Sequence, residues 1–396
     1  MTLRQLKARY FVLEGLNSLA TTYYFYYIYF FMTKQFGFGN RENLFLSASQ
    51  GFLYMFGAWF AGRFGQKYGG FKALGLGFSI MAGALVVGSS LQSVKGHIAT
   101  MLTCTLGMCF TWPNLQALIS EHEEPDGLQT VVGIYNMVWA GVSGIAFFSG
   151  GALLETLGLR SLFYGPATVH LLQLGLLLWL RKKAKAVPLE PRTSVDVKPA
   201  LPPLNPRPIA RTKSFLRMAW LANPFAYIAV NTIAAVVPGL AQRLNLSPMW
   251  TGFVCSIWFF VRFGTFVGLW LWDGWHYRFR WFITAFVMLT AGFSTLLLVK
   301  NLWIVVAAQI AFGMGLGLIY YSSLFYSMHI GDNKAEHGGF HEAAIGIGLF
   351  TGPAVGGLAL YFFPYRPDSG ALAVSGLLVI GLAGVLRLRC RTQNPK

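Results

Sequence analysis

The chain has 396 residues, of which 55% are hydrophobic, 16% aromatic and only 11% charged, with a mean hydropathy of +0.52. Those proportions exclude a soluble globular domain and describe an all-α polytopic membrane protein. The formal net charge of +17 does not point to nucleic acid, because the basic residues lie between apolar segments instead of forming a face; lipid headgroups account for them.

Apolar stretches of about 20 residues, the length a bilayer core requires, recur along the chain. The first, Tyr10 to Phe31, follows Arg4, Lys7 and Arg9; it is too long for a signal peptide and has no small-residue cleavage site, so it reads as an uncleaved span. Five more fall at 44–62, 71–91, 97–118, 130–152 and 161–180. A second set of six lies at 216–240, 251–272, 281–299, 302–328, 340–362 and 370–388. Between the sets, seven prolines from Pro188 to Pro208 alternate with Lys and Arg, a composition that gives a solvated, extended linker. The expected domains are an N-terminal six-helix bundle (1–182), a basic linker (183–213) and a C-terminal six-helix bundle (214–396). With both termini in the cytoplasm, inner basic residues outnumber outer ones about threefold. The two sets also echo each other at an offset of roughly 207 residues, Gly150-Gly151 of segment 5 answering Gly356-Gly357 of segment 11.

Between segments 2 and 3 runs the basic turn Gly62-Arg63-Phe64-Gly65-Gln66-Lys67-Tyr68-Gly69, continuing to Leu74. Gly62, Lys67, Gly69 and Leu74 keep the G-x-x-x-(D)-K-x-G-x-x-x-x-L spacing of the loop between helices 2 and 3 of the major facilitator superfamily, which the chain resembles. Two positions depart from it: Gln66 replaces the usual acid, and Gly70-Phe71 the usual basic pair. The resemblance implies 12 transmembrane helices as two pseudo-symmetric six-helix bundles, a bacterial inner-membrane location, and alternating access around a midplane site. It further implies a conformational latch at Gly62, Arg63, Lys67 and Gly69. With Gln66 neutral, its acid is expected from Glu342, beside His341 at the start of segment 11.

Polar side chains inside a bilayer are costly and normally face a bundle interior or a wet cavity. Helical spacing puts Glu14, Asn17, Ser18 and Thr21 on one stripe of segment 1, flanked by Tyr24, and Thr103, Gly107 and Asn114 on one of segment 4. Asn223, Tyr227 and Asn231 share a face of segment 7; Gln309, Gly313, Tyr320, Ser323 and Ser327 share one of segment 10. The resemblance makes segments 1, 4, 7 and 10 the cavity helices. The expected substrate-binding set is therefore Asn17, Thr21, Tyr24, Asn114, Tyr227, Asn231, Gln309, Tyr320 and Ser323, against the alternative that these groups only bridge helices. Pro113 and Pro224 are expected to interrupt segments 4 and 7.

Few ionisable groups lie within the spans. Glu14 is the candidate proton-coupling carboxylate, since a carboxyl in a partly dry cavity can exchange protons near neutral pH. Arg262 in segment 8, whose repeat counterpart is Met55, is either a substrate or coupling charge or half of a structural ion pair. His170 reads as a packing residue, and the acidic run around Glu121 and Glu123 as a solvated loop. The four scattered cysteines give neither a disulfide framework nor a metal site, and no cofactor is expected. Together these features point to a secondary active transporter of a small polar or weakly charged organic solute, with protons as the candidate coupling ion. An efflux pump for amphipathic compounds or a lipid flippase is the alternative; a non-transporting receptor or a membrane-embedded enzyme on the same fold is the alternative of another class. Expected partners are the solute and the lipid bilayer, not nucleic acid, and the expected state is a monomer.

Overall fold

In hydrocarbon a backbone must satisfy its own hydrogen bonds, so apolar segments of this length form helices. A computed structural model describes residues 2–121, 123, 125–184, 209–330 and 334–393, and no strand occurs among them. The first set of segments becomes α1 (Leu3–Phe36), α2 (Asn40–Tyr68), α3 (Gly70–Gly88), α4 (Val94–Cys109), α5 (Trp112–Ser120), α6 (Pro125–Thr156) and α7 (Ser161–Ala184). The second becomes α8 (Ile209–Arg243), α9 (Pro248–Cys255), α10 (Ile257–Leu271), α11 (Phe279–Leu298), α12 (Leu302–Ile330), α13 (Lys334–Phe362) and α14 (Ser369–Gln393). Segment 4 is split into α4 and α5, and segment 8 into α9 and α10, which gives the twelve expected spans. Ten of the spans are long and apolar enough to cross a membrane by those criteria alone; α1 and the α4–α5 pair are the other two.

The first helix begins earlier than its apolar run. Thr2 caps it by accepting the Gln5 N–H while the Gln5 side chain accepts the Thr2 N–H. Glu14 consequently sits about 16 Å along the helix, beyond the reach of the positive N-terminal end. Near that end Lys7, itself buried, pairs with Glu123, so this carboxylate is tied to α1 instead of being simply solvated.

Segment 4 breaks at Phe110 and Thr111, just ahead of Pro113. Segment 7 does not break: Pro224 and Pro238 both lie inside a continuous α8, because packed neighbours can offset the one backbone bond that each proline removes. Segment 8 breaks at Ser256 with no proline in its interior. At both breaks a hydroxyl bonds back to the preceding turn, Thr111 Oγ1 to the Met108 carbonyl (2.9 Å) and Ser256 Oγ to the Phe253 carbonyl (3.0 Å).

Within the first set α1 packs on α6 and α7 and α3 on α7; within the second α8 packs on α12, α13 and α14. The two sets meet along two seams, α2 with α13 and α6 with α9 and α10. Exchanging segments 2 with 8 and 5 with 11 turns one seam into the other, the signature of a repeat built twice. Backbones touch at both. A Cβ added at Gly51 would stand 2.3 Å from the Leu349 carbonyl carbon, and one at Gly151 1.9 Å from the Pro248 carbonyl oxygen, so only glycine fits. Around Gly151 the seam closes the end remote from the termini, where the Met249 N–H also donates to Glu155 Oε1 across the sets (2.9 Å).

A side chain at Gly151 must push these backbones apart. Gly151→Leu is expected to open the remote end, read as faster labelling of an Asn231→Cys variant by a membrane-impermeant maleimide applied from that side.

Candidate functional site

Segments 1, 2, 4 and 5 face segments 7, 8, 10 and 11 around a cavity of about 130 Å³. The helices that line it are those of the two seams and the four they enclose; α3, α7, α11 and α14 contribute none of the described wall. Ten of the twenty-two wall residues are aromatic and one, Arg262, is charged. A solute here meets ring faces, a few amides and hydroxyls, and a single guanidinium.

Arg262 is 4% exposed. Its guanidinium carbon lies 4.4 Å from the Trp139 ring centroid and 5.2 Å from those of Trp258 and Phe259. Among the described residues no carboxylate pairs with it, and its Nε and Nη2 have no hydrogen-bond partner. Withdrawing such a charge from water costs on the order of several kcal/mol, of which desolvated cation–π contacts return about 2 kcal/mol. Trp139 belongs to α6 and Arg262 to α10, so the contact spans the two sets. Beside it Trp139 stacks on Tyr320 of α12 (5.6 Å, 29°), whose hydroxyl donates to Asn136 Oδ1 of α6 (3.0 Å).

Comparison with known proteins agrees with this architecture. The model of the Major Facilitator Superfamily matches residues 10–338. The chain belongs to that superfamily. It is thus a multi-pass membrane transporter, not an enzyme. Solved transporters align over almost the whole chain. One is the peptide transporter POT in complex with sulfate, with TM-score 0.76 and 13% identity over 98% of this chain and 95% of that one. Another is the nucleoside transporter NupG, with TM-score 0.71 and 14% identity over 97% and 98%. A third is a bacterial homologue of the human lysosomal transporter Spinster, inward-facing and unoccupied, with TM-score 0.68 and 15% identity over 98% and 96%. At such identities the likeness is one of fold alone. No curated protein sequence matches the chain.

Of the nine residues expected to bind substrate in this superfamily member, Thr21, Tyr227, Asn231 and Tyr320 line the cavity. The other five do not, for specific reasons. Asn17 donates to Thr111 Oγ1 (3.3 Å) at the break in segment 4, and Gln309 donates to the Val254 carbonyl (3.0 Å) just before the break in segment 8. Asn114 donates to the Phe110 carbonyl (3.0 Å) and fills the space over Gly65, where an added Cβ would stand 1.7 Å from its Oδ1. Tyr24 is buried beside Phe25, Phe163 and the Cys104 thiol. Ser323 is buried within α12.

Both coupling candidates are central. Arg262 is in the wall; Glu14 is fully buried, accepts from Ser18 Oγ (2.9 Å) and adjoins Tyr135, which is in the wall. The latch candidates remain apart from the cavity: Arg63 lies over Trp59 (3.8 Å) and Lys67 beside Tyr68 (5.2 Å). Gly62 has open space around it, and Gly69 ends α2 with φ +95°. His341 and Glu342 lie outside the described side chains. His170 is a packing residue, its Nδ1 bonded to Gln173 Oε1 (2.8 Å) and its ring stacked on Phe78. The expectations missed segments 2, 5 and 11, although Tyr135, Trp139 and Ser143 at i, i+4 and i+8 form a legible stripe.

If Asn114 is packing, its effect couples to Gly65. Gly65→Ala is expected to lower stability by about 1–3 kcal/mol; Gly65→Ala with Asn114→Ala should melt above the additive expectation, read from Tm.

Proposed function

We propose that this chain is a secondary active transporter that carries a small polar or weakly charged organic solute by alternating access, in a bacterial inner membrane with both termini cytoplasmic. The observation that carries the reading is the cavity itself, which is walled by helices of both sets and of both seams, with backbone contact between the sets around Gly151 toward the end remote from the termini. Rocking one set of helices on the other would open the remote end and close the near one, with Trp139, Arg262, Tyr320 and Asn136 at the pivot. The aromatic share of the wall favours, as a second reading, efflux of amphipathic compounds.

Glu14 is the proposed coupling group. It is a buried carboxyl with no basic partner among the described residues, one helix layer from the wall, so that its protonation and the hydration of the cavity depend on each other.

Purified protein should be stabilised against heat by one class from a panel of sugars, nucleosides, amino acids, organic acids and amphipathic drugs. Asn231→Ala should weaken that ligand about tenfold, the worth of one hydrogen bond. Gln309→Ala should leave affinity intact and lower Tm, because its amide serves the Val254 carbonyl. Stabilisation only by hydrophobic amphiphiles, indifferent to Asn231, would transfer the assignment to efflux. In proteoliposomes Glu14→Gln is expected to abolish accumulation driven by an imposed proton gradient while keeping solute exchange; an unchanged gradient response would remove Glu14 from the mechanism.

A further inference from the structure

We propose that the cavity selects organic anions bearing a flat ring, and that Arg262 takes their carboxylate. The inference rests on the transport reading for its setting and adds the substrate class.

Three features of the wall converge on it. Arg262 is its one charged side chain, nine-tenths buried and more, with no carboxylate to pair with among the described residues. Aromatic rings surround it, but a ring accommodates a cation without accepting the N–H bonds in the guanidinium plane, and Nε and Nη2 are indeed unpartnered. A carboxylate offers two oxygens spaced for that fork.

The second feature is the polarity of everything else left unmatched. Of the wall residues, those with buried unpartnered polar atoms are Trp112 (Nε1), Asn231 (Nδ2) and Arg262 (Nε and Nη2). All four atoms are N–H donors and none is an acceptor. An acceptor-rich anion would satisfy them; a cation or a donor-rich solute would leave both sides unpaired, which is costly in a dry site.

The third is the wall's aromatic surface, against which a planar ring can stack. The repeat counterpart of Arg262 is Met55, so the charge occurs on one seam only and suits a single anionic group. Because Arg262 touches Trp139 across the two sets, an anion that draws the guanidinium away also loosens a contact between the moving parts.

The test uses the purified full chain with benzoate, indole-3-acetate and nicotinate, each against its neutral amide, and acetate as an anion without a ring. Binding is read by thermal shift and by tryptophan fluorescence. The acids should bind at least tenfold more tightly than their amides and than acetate. Arg262→Gln should erase the preference for acid over amide, and Arg262→Lys should keep part of it. Should the Gln variant fail to fold, Asn231→Asp gives the second readout: both ligand classes lose the amide donor, but the negative charge among the remaining donors must weaken the acids at least tenfold more than their amides. No preference for the acids, or acid binding untouched by these variants, overturns the inference. In that case counterflow of a neutral solute would leave the transport reading standing, whereas a folded protein that exchanges no solute of any class would remove both.

Discussion

Backbone contact between helices in a medium that gives them no hydrophobic reason to associate is the constraint on which the molecule depends. Lipid tails are as apolar as leucine, so close packing has to come from dispersion between surfaces that fit. Gly51 and Gly151 allow that fit by removing the side chain where another backbone passes. The two seams are related by the repeat, and the one around Gly151 brings the backbones of the two sets into contact toward the end remote from the termini.

Polar groups inside this protein answer to two separate demands. Where a membrane helix breaks, its freed carbonyls and amides need partners that water cannot supply. Asn17 reaches the Thr111 break and Gln309 the carbonyl ahead of the Ser256 break. Asn231 and Arg262 instead belong to the cavity wall, each with buried donor atoms unmatched. The same physical rule, that a buried polar atom needs a partner, explains the first group by what it touches and the second by what it awaits.

Much of the architecture was legible from hydropathy alone. Segment length gave the twelve spans, with ends extended by up to seven residues in the helices, and the stretch from Gly62 to Leu74 carried the family resemblance, although it is helical on both sides of Gly69 and has no turn longer than that residue. Helical phase identified polar stripes correctly but not their targets. A stripe on α1 follows one face for its full length, whereas the cavity occupies only part of that length; Thr21 reaches it, and Asn17, one turn earlier, meets Thr111 at the break between α4 and α5 instead. Segment 5 escaped notice because Trp139 and Tyr135 read as apolar packing or interfacial residues when the chain is scanned for amides and charges.

The sequence by itself determined that this is a membrane protein of twelve spans, because the length and apolarity of each span follow from bilayer thickness and need no neighbour to specify them. Only the tertiary structure decided which polar residues serve broken helices and which serve the cavity, since that depends on the neighbour each one meets. It also decided that Arg262 stands among rings with no carboxylate partner among the described residues. Sequence spacing fixes which face of a helix a side chain occupies; what lies opposite that face is settled only when the helices pack.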